Sequence, residues 1–129
     1  MTETSPQKPT VFLADDHKIM RDGLRMLLER SGKFHVIGEA ADGRALVEGV
    51  AEHRPEIVIT DMAMGELNGV EATRQMRGGG FPGIIVMLSM HDERRTISQA
   101  LDAGVNAYVH KDLAFDHILT AIEAAQRGE

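Results

Sequence analysis

Ile57-Val58-Ile59-Thr60-Asp61-Met62-Ala63-Met64 is an apolar run that stops at a carboxylate and then turns. β-Branched residues fill its first four positions without polar alternation, the pattern of a strand buried on both faces. Asp61 therefore arrives at the carboxyl end of a strand, and its chemistry depends on what else arrives there. Three further apolar runs end in the same manner. Val11-Phe12-Leu13-Ala14 stops at Asp15-Asp16, Ile84-Ile85-Val86-Met87-Leu88 at Ser89, and Ala107-Tyr108-Val109 at His110-Lys111.

The segments between these runs have a helical period. After Asp16, apolar residues recur at Ile19/Met20, Leu24 and Leu27/Leu28 until Ser31-Gly32, where Gly32 suits the position just past a helix end. Phe34 to Ala40 is less uniformly apolar and reads as an edge strand. Asp42 can cap a helix through Leu46, Val47, Val50 and Ala51 that Arg54-Pro55 ends. Asn68, with Glu71 three residues on, resembles a capping box for a helix through Val70, Thr73 and Met76, which Gly78-Gly79-Gly80 breaks. The helix after Asp92 offers only Ile97, Ala100 and Leu101 to a core before Gly104, so it is expected to pack thinly and to be a moving part. A last helix from about Ala114 uses Phe115, Ile118, Leu119, Ile122 and Ala125.

Five strands alternating with five helices at short loop spacing predict an α/β fold, a doubly wound (βα)5 three-layer sandwich with a five-stranded parallel sheet, flavodoxin-like in architecture. Such folds hold their ligands at the carboxyl ends of the strands. Asp15-Asp16, Asp61, Ser89 and Lys111 all fall there. The 129 residues suit one domain, expected over residues 10–129, with 1–9 a polar, proline-bearing flexible tail.

Composition removes several function classes. A net charge of −6 argues against this segment gripping a phosphate backbone by itself, and one Tyr with no Trp gives no stacking platform for single strands. Absence of cysteine excludes disulfides, thiolate nucleophiles and thiolate metal sites. No apolar run approaches the roughly 18 residues a membrane span requires, and the polar N-terminus is no signal peptide, so a cytoplasmic protein is expected. The six histidines show no i, i+3 or i+4 pair that would suggest zinc. The glycine run before Phe81 lacks the Lys-Ser/Thr of a phosphate loop, and the eight methionines are expected to be mainly core filler.

Carboxylates gathered at one point repel, and a divalent cation relieves that repulsion. Mg2+, or Mn2+, takes carboxylate and carbonyl oxygens and keeps several waters, so the aspartates plus a backbone carbonyl make a plausible site. Lys111 could hold a phosphate oxygen as a point charge, and the Ser89 hydroxyl could hydrogen-bond another. The device so assembled presents Asp61 as a nucleophile toward a phosphoryl group, forming an aspartyl phosphate. Each residue alone has a plainer role, as helix cap, turn former or surface charge; the ordered set carries the reading.

The same set resembles the response regulator receiver domain, the phosphoacceptor half of two-component signalling. The resemblance covers roughly Thr10 to Glu129 and rests on Asp15-Asp16, Asp61 in IVITDMAMGELNG, Ser89 in IIVMLSMHD, and Tyr108-Val-His-Lys111. It implies that Asp61 accepts phosphate from a histidine kinase. It implies that Asp16, Asp61 and the Ala63 carbonyl bind Mg2+, with Asp15 assisting through water. Lys111 and Ser89 would contact the phosphoryl group, Tyr108 would change rotamer as the Ser89 loop moves, and Ala63 and His91 would flank the phosphoryl group. The endings ILTAIEAAQRGE and LSMHDE resemble receivers followed by a helix-turn-helix DNA-binding domain. DNA is then contacted only through an output domain outside these 129 residues, with homodimerisation on phosphorylation and no membrane partner.

One departure is Met64-Gly65 where the family usually has Met-Pro, which predicts a looser loop from Met62 to Leu67. Two other functions compete. An aspartate-nucleophile phosphohydrolase usually carries a second acid two residues after the nucleophile, and here that residue is Ala63. A receiver-like interaction module that never takes phosphate would not require all these groups. A small flavin-binding protein shares the architecture, but an acidic cluster would repel a flavin phosphate. The expected protein is a switch rather than a turnover enzyme.

Overall fold

The computed structural model describes residues 8–65, 67–91 and 93–128. Five parallel strands, β1 (Thr10–Ala14), β2 (His35–Ala40), β3 (Ile57–Asp61), β4 (Ile84–Ser89) and β5 (Ala107–His110), form one sheet in the order β2-β1-β3-β4-β5. Helices α1 (Lys18–Arg30), α2 (Gly43–His53), α3 (Gly69–Gly78), α4 (Arg94–Ala103) and α5 (Ala114–Gln126) alternate with them. The expected doubly wound fold and the edge position of the Phe34–Ala40 strand are both found. The chain reverses direction across the sheet between β1 and β3, so the crevice of this fold opens above those two strands.

Strand periodicity divides the core in two. Val11, Leu13, Ile57, Ile59, Val86 and Leu88 point to one face, where Leu24 and Leu28 of α1 and Ile118 and Ile122 of α5 cover them. Phe12, Val58, Ile85 and Met87 point to the other, against Leu46 and Val50 of α2, Ala72 and Met76 of α3 and Ala100 of α4. Because both faces are covered, the central strands tolerate no polar residue until their ends, and the polar ends are therefore the informative positions.

Local chemistry sets the helix boundaries. Asp42 Oδ1 accepts the Ala45 N–H at 2.8 Å, and Asn68 Oδ1 accepts the Glu71 N–H at 2.9 Å. The Glu71 carboxylate turns to Arg74 at 3.3 Å, so only the Asn68 arm of the expected capping box is made. Gly32 and Gly104 adopt positive φ, 74° and 116°, just beyond α1 and α4.

Several apolar positions differ from expectation. Ile19, Ala51 and Leu101 are exposed, and Phe115 is half-exposed, lying over Gly23 of α1 instead of entering the core. The helical period alone does not distinguish the centre of an apolar stripe from its margin. Ala103 replaces Leu101 in anchoring α4, which buries only Ala100 and Ala103, while Ile97 is partly buried. The expected thin packing of α4 is thus present. Asp92, from which that helix was expected to start, lies outside the described residues, and Glu93 occupies the N-cap without a side-chain capping bond.

A cationic clamp opposes this looseness at the far end of α4. The Arg77 guanidinium donates to Gly104 O at 2.8 and 3.1 Å, Phe81 O at 2.9 Å, Gly83 O at 2.8 Å and Asn106 Oδ1 at 2.8 Å. It also lies over the Phe81 ring. Asn106 Oδ1 in turn accepts the Ile85 N–H at 2.8 Å. One side chain thus joins the end of α3 to the segments that lead into β4 and β5.

On the opposite edge, Glu39 of β2 accepts Arg21 Nε at 3.0 Å and Arg25 Nε at 2.6 Å. Burial, the largest single influence, pushes the Glu39 carboxyl up, but the two arginines together outweigh it and hold it below its ordinary value. A lowered carboxyl stabilises the fold above the ordinary value of 4.5, and that contribution is lost as pH falls through the lowered one. Glu39→Gln is expected to cost about 1–3 kcal/mol at neutral pH. Urea unfolding of both proteins should show the difference shrinking once the pH drops below 4.5.

Candidate functional site

The fold brings the expected strand endpoints together at one end of the sheet. Asp15 follows β1 and is buried, with its N–H tied to Ala40 O at 3.1 Å. Asp16 and His17 are exposed at the entrance to α1. Asp61 ends β3, buried to 2% exposure, in register with Leu88 of β4, and Ser89 pairs with His110 of β5. Lys111, at the start of a single 3-10 turn (Lys111–Leu113) not foreseen from sequence, extends back over the sheet. Its Nζ lies 2.9 Å from Asp61 Oδ2 and 3.1 Å from Asp15 Oδ2.

The electrostatics are those of two buried carboxylates sharing one ammonium. Burial raises the Asp61 carboxyl above its ordinary value and the Asp15 charge adds to this, against the Lys111 hydrogen bond and an N–H from Ala63 at 3.3 Å. For Lys111, burial is the largest influence and lowers it, but hydrogen bonds and charge from Asp61 and Asp15 prevail and raise it. Asp61 Oδ2 is thus held by a cation while its carboxyl remains more basic than an ordinary aspartate, which suits a nucleophile.

One ligand atom from each of Asp15, Asp16, His17 and Asp61 lies within 4.8 Å of the others. Asp15 Oδ2 is buried and accepts no hydrogen bond among the described residues, the Lys111 contact to it lacking hydrogen-bond geometry. An oxygen-rich cluster with a buried oxygen of this kind fits a hard divalent cation. His17 was not singled out from sequence as a member of this group, since a histidine without an i+3 or i+4 partner gives no local metal signal.

Ser89 is buried at the end of β4, and its hydroxyl is engaged by neighbours other than Asp61. Its hydroxyl donates to Met62 Sδ at 3.6 Å and accepts the His91 N–H at 3.0 Å. The Tyr108 hydroxyl donates to His91 O at 2.7 Å. The backbone of His91 therefore joins Ser89 to Tyr108, a connection invisible in the sequence. Ala63 and His91 both line a shallow opening together with Asp16, Met62, Met64, Gly65 and Asn68.

The loop after Asp61 is tied at both ends. Met62 N–H donates to Leu88 O and Gly69 N–H to Met62 O, each at 2.8 Å. A Cβ at Gly69 would collide with the Asp61 carbonyl oxygen, so this close approach requires glycine. Met64 is buried in the core beneath α2 and α3 and supplies an anchor. Gly65 is exposed, has open space where a Cβ would stand and does not have positive φ. Glu66 lies outside the described residues.

Comparison with known proteins agrees with this geometry. The chain belongs to the response regulator receiver domain family, whose model matches residues 11–123. A curated relative, the "Probable transcriptional regulatory protein NarL" of Mycobacterium tuberculosis, is 31% identical over 128 residues. That match covers 99% of this chain and 59% of the relative, so the chain spans somewhat more than half of its length. The solved receiver domain of the putative response regulator NarL from M. tuberculosis superposes with a TM-score of 0.90 at 31% identity, covering 96% of this chain and 100% of that one. The isolated receiver domain of RcsB from Salmonella enterica serovar Typhimurium, solved in the presence of phosphomimetic BeF3-, gives a TM-score of 0.84 at 27% identity over 95% of this chain and 91% of that one. The protein is therefore a receiver domain of the two-component response regulators, a signalling domain.

Two variants probe the site's energetics. Because the Asp61 carboxyl is raised, its ionisation costs stability above the raised value, and that cost is gone below its ordinary value of 3.8. Asp61→Asn is expected to unfold at higher urea than the parent at neutral pH without added metal, with the gap closing as pH falls toward 3.8. Gly65→Pro removes unfolded-state freedom and is expected to stabilise by about 0.4–1 kcal/mol. Amide exchange should then slow in the loop from Met62 to Leu67.

Proposed function

We propose that Asp61 is the phosphoacceptor of this receiver domain and that its phosphorylation switches an output. The observation that carries the reading is the Lys111 ammonium held 2.9 Å from Asp61 Oδ2 beside the Asp15-Asp16 pair. A carboxylate oxygen of Asp61 attacks the phosphorus of a phosphohistidine on a histidine kinase. The phosphorus–nitrogen bond breaks and its electron pair returns to the imidazole. Lys111 neutralises a phosphoryl oxygen, and the Ser89 hydroxyl, released from Met62, hydrogen-bonds another. Asp16, Asp61 and the Ala63 carbonyl, assisted by Asp15, would hold Mg2+ or Mn2+, which would supply charge neutralisation for the remaining oxygens.

The response is a population shift. Movement of Ser89 toward the phosphate withdraws its acceptor from the His91 N–H, and Tyr108, bonded to the same residue's carbonyl, turns inward with it. The thinly anchored α4 then changes its exposed face, pivoting against the Arg77 clamp. A homodimer formed on phosphorylation would pass this change to a DNA-binding output domain, in keeping with the transcriptional relative that is longer than this chain. No helix among the described residues is long and apolar enough to cross a membrane, and the reading places the domain in the cytoplasm. Besides accepting phosphate, the domain assists its own phosphorylation and dephosphorylation without being a turnover enzyme.

Incubation with a small phosphodonor and Mg2+, followed by intact mass, tests the reading directly. The parent is expected to gain one phosphoryl group and Asp61→Asn none. No gain in the parent, or an equal gain in the variant, would overturn it.

A further inference from the structure

The turn that presents Asp15 and Asp16 is held from behind by a side chain that the phosphoacceptor reading does not use. Arg21 and Arg25 stand four residues apart in α1, on the helix face that meets β2. Glu39 of β2 receives both, Arg21 Nε at 3.0 Å on one carboxylate oxygen and Arg25 Nε at 2.6 Å on the other. Of the two, Arg21 alone also reaches the turn, where its Nη1 donates to the backbone carbonyl of Asp15. The Asp15 N–H is itself tied to Ala40 O at 3.1 Å, one residue beyond Glu39 in the same strand. Both main-chain groups of Asp15 are thus fixed to β2, one directly and the other through Arg21.

We propose that Arg21 is a positioning residue of the site, which by holding the Asp15 carbonyl sets the direction in which Asp16 leaves the turn. The inference rests on the cation and phosphoacceptor site proposed above and deepens it. The peptide unit is planar, so a bond to the Asp15 oxygen also orients the Asp16 nitrogen. The Asp15 side chain is placed separately, by the His17 N–H at 2.8 Å and by Lys111. Asp16 is exposed, and with only the His17 ring beside its carboxylate it depends on the backbone for its direction. A guanidinium suits the task because Nε and Nη1 are distinct donors in one rigid plane, so the bond to Glu39 aims the second donor at the carbonyl. Arg21 is 15% exposed and Glu39 22%, which shields the pair from competing water. The charges also balance in place. Arg21 and Arg25 face Glu39 and Glu29, the last 3.9 Å from Arg25, so the anchor adds no net positive charge against a cation.

Arg25 supplies the control, since it shares Glu39 but does not touch the turn. Calorimetric titration with MgCl2 and amide exchange of the metal-free proteins are compared for the parent, Arg21→Met, Arg21→Lys and Arg25→Met, with urea unfolding of each. Both methionine variants are expected to lose stability, but only Arg21→Met should weaken Mg2+ binding, by about tenfold, against less than about twofold for Arg25→Met. Its Asp15 and His17 amides should exchange faster by more than the loss of global stability accounts for. Arg21→Lys, whose single nitrogen keeps Glu39 and releases the carbonyl, should stay closer to the parent in stability and still weaken Mg2+ binding. Equal Mg2+ affinity in Arg21→Met and Arg25→Met, or no added exchange in the turn, overturns the role of Arg21 and leaves the phosphoacceptor reading standing. A parent that neither binds Mg2+ nor takes phosphate overturns both.

Discussion

Two buried carboxylates, Asp15 and Asp61, share one ammonium, that of Lys111. Buried charges are costly unless paired, and here three strands must each deliver one member. Asp15 and Asp61 come from adjacent strands, whose register pairs Ala14 with Thr60. Lys111 follows β5, two strands beyond β3, and only a long side chain can span that distance. The sheet order, the strand lengths and the turn after β5 all bear on this one contact. The same pairing sets two carboxylates against one ammonium, and the net negative charge left over suits the uptake of a cation.

Around this point the molecule is unevenly held. The central strands are buried on both faces, and Arg77 bonds four groups that fix the ends of α3, α4 and the strands between them. By contrast α4 starts without a side-chain cap and rests on two alanines. Segments with few buried contacts open at the lowest free energy, so a change at Ser89 meets least resistance there. The chain Ser89–His91–Tyr108 runs from the site to that region by two hydrogen bonds through one backbone residue.

Much was legible in the residues. Strand positions followed from uninterrupted apolar runs, helix starts from Asp42 and Asn68, and helix ends from Gly32 and Gly104, because each is governed by local sterics and hydrogen bonding. The endpoints Asp15, Asp61, Ser89 and Lys111 were legible for a related reason: a polar residue ending a fully apolar strand marks the open end of a parallel sheet. Helix faces were read less well. Ile19, Leu101 and Phe115 lie at stripe margins, where burial depends on the neighbouring helix and not on the helix's own period. The absence of proline after Met64 predicts a looser loop, while the burial of the Met64 side chain in the core is a fact of packing that no local rule contains.

The sequence by itself determined the fold class and which residues stand at the functional end, since periodicity and strand termini are properties of contiguous segments. The tertiary structure alone decided how those residues are paired: Lys111 to both aspartates, Ser89 to Met62 instead of Asp61, and His17 into the acidic cluster. The physical reason is that such contacts join groups tens of residues apart, through side-chain directions set by sheet register and helix placement. Distance along the chain carries no information about them until the sheet has closed.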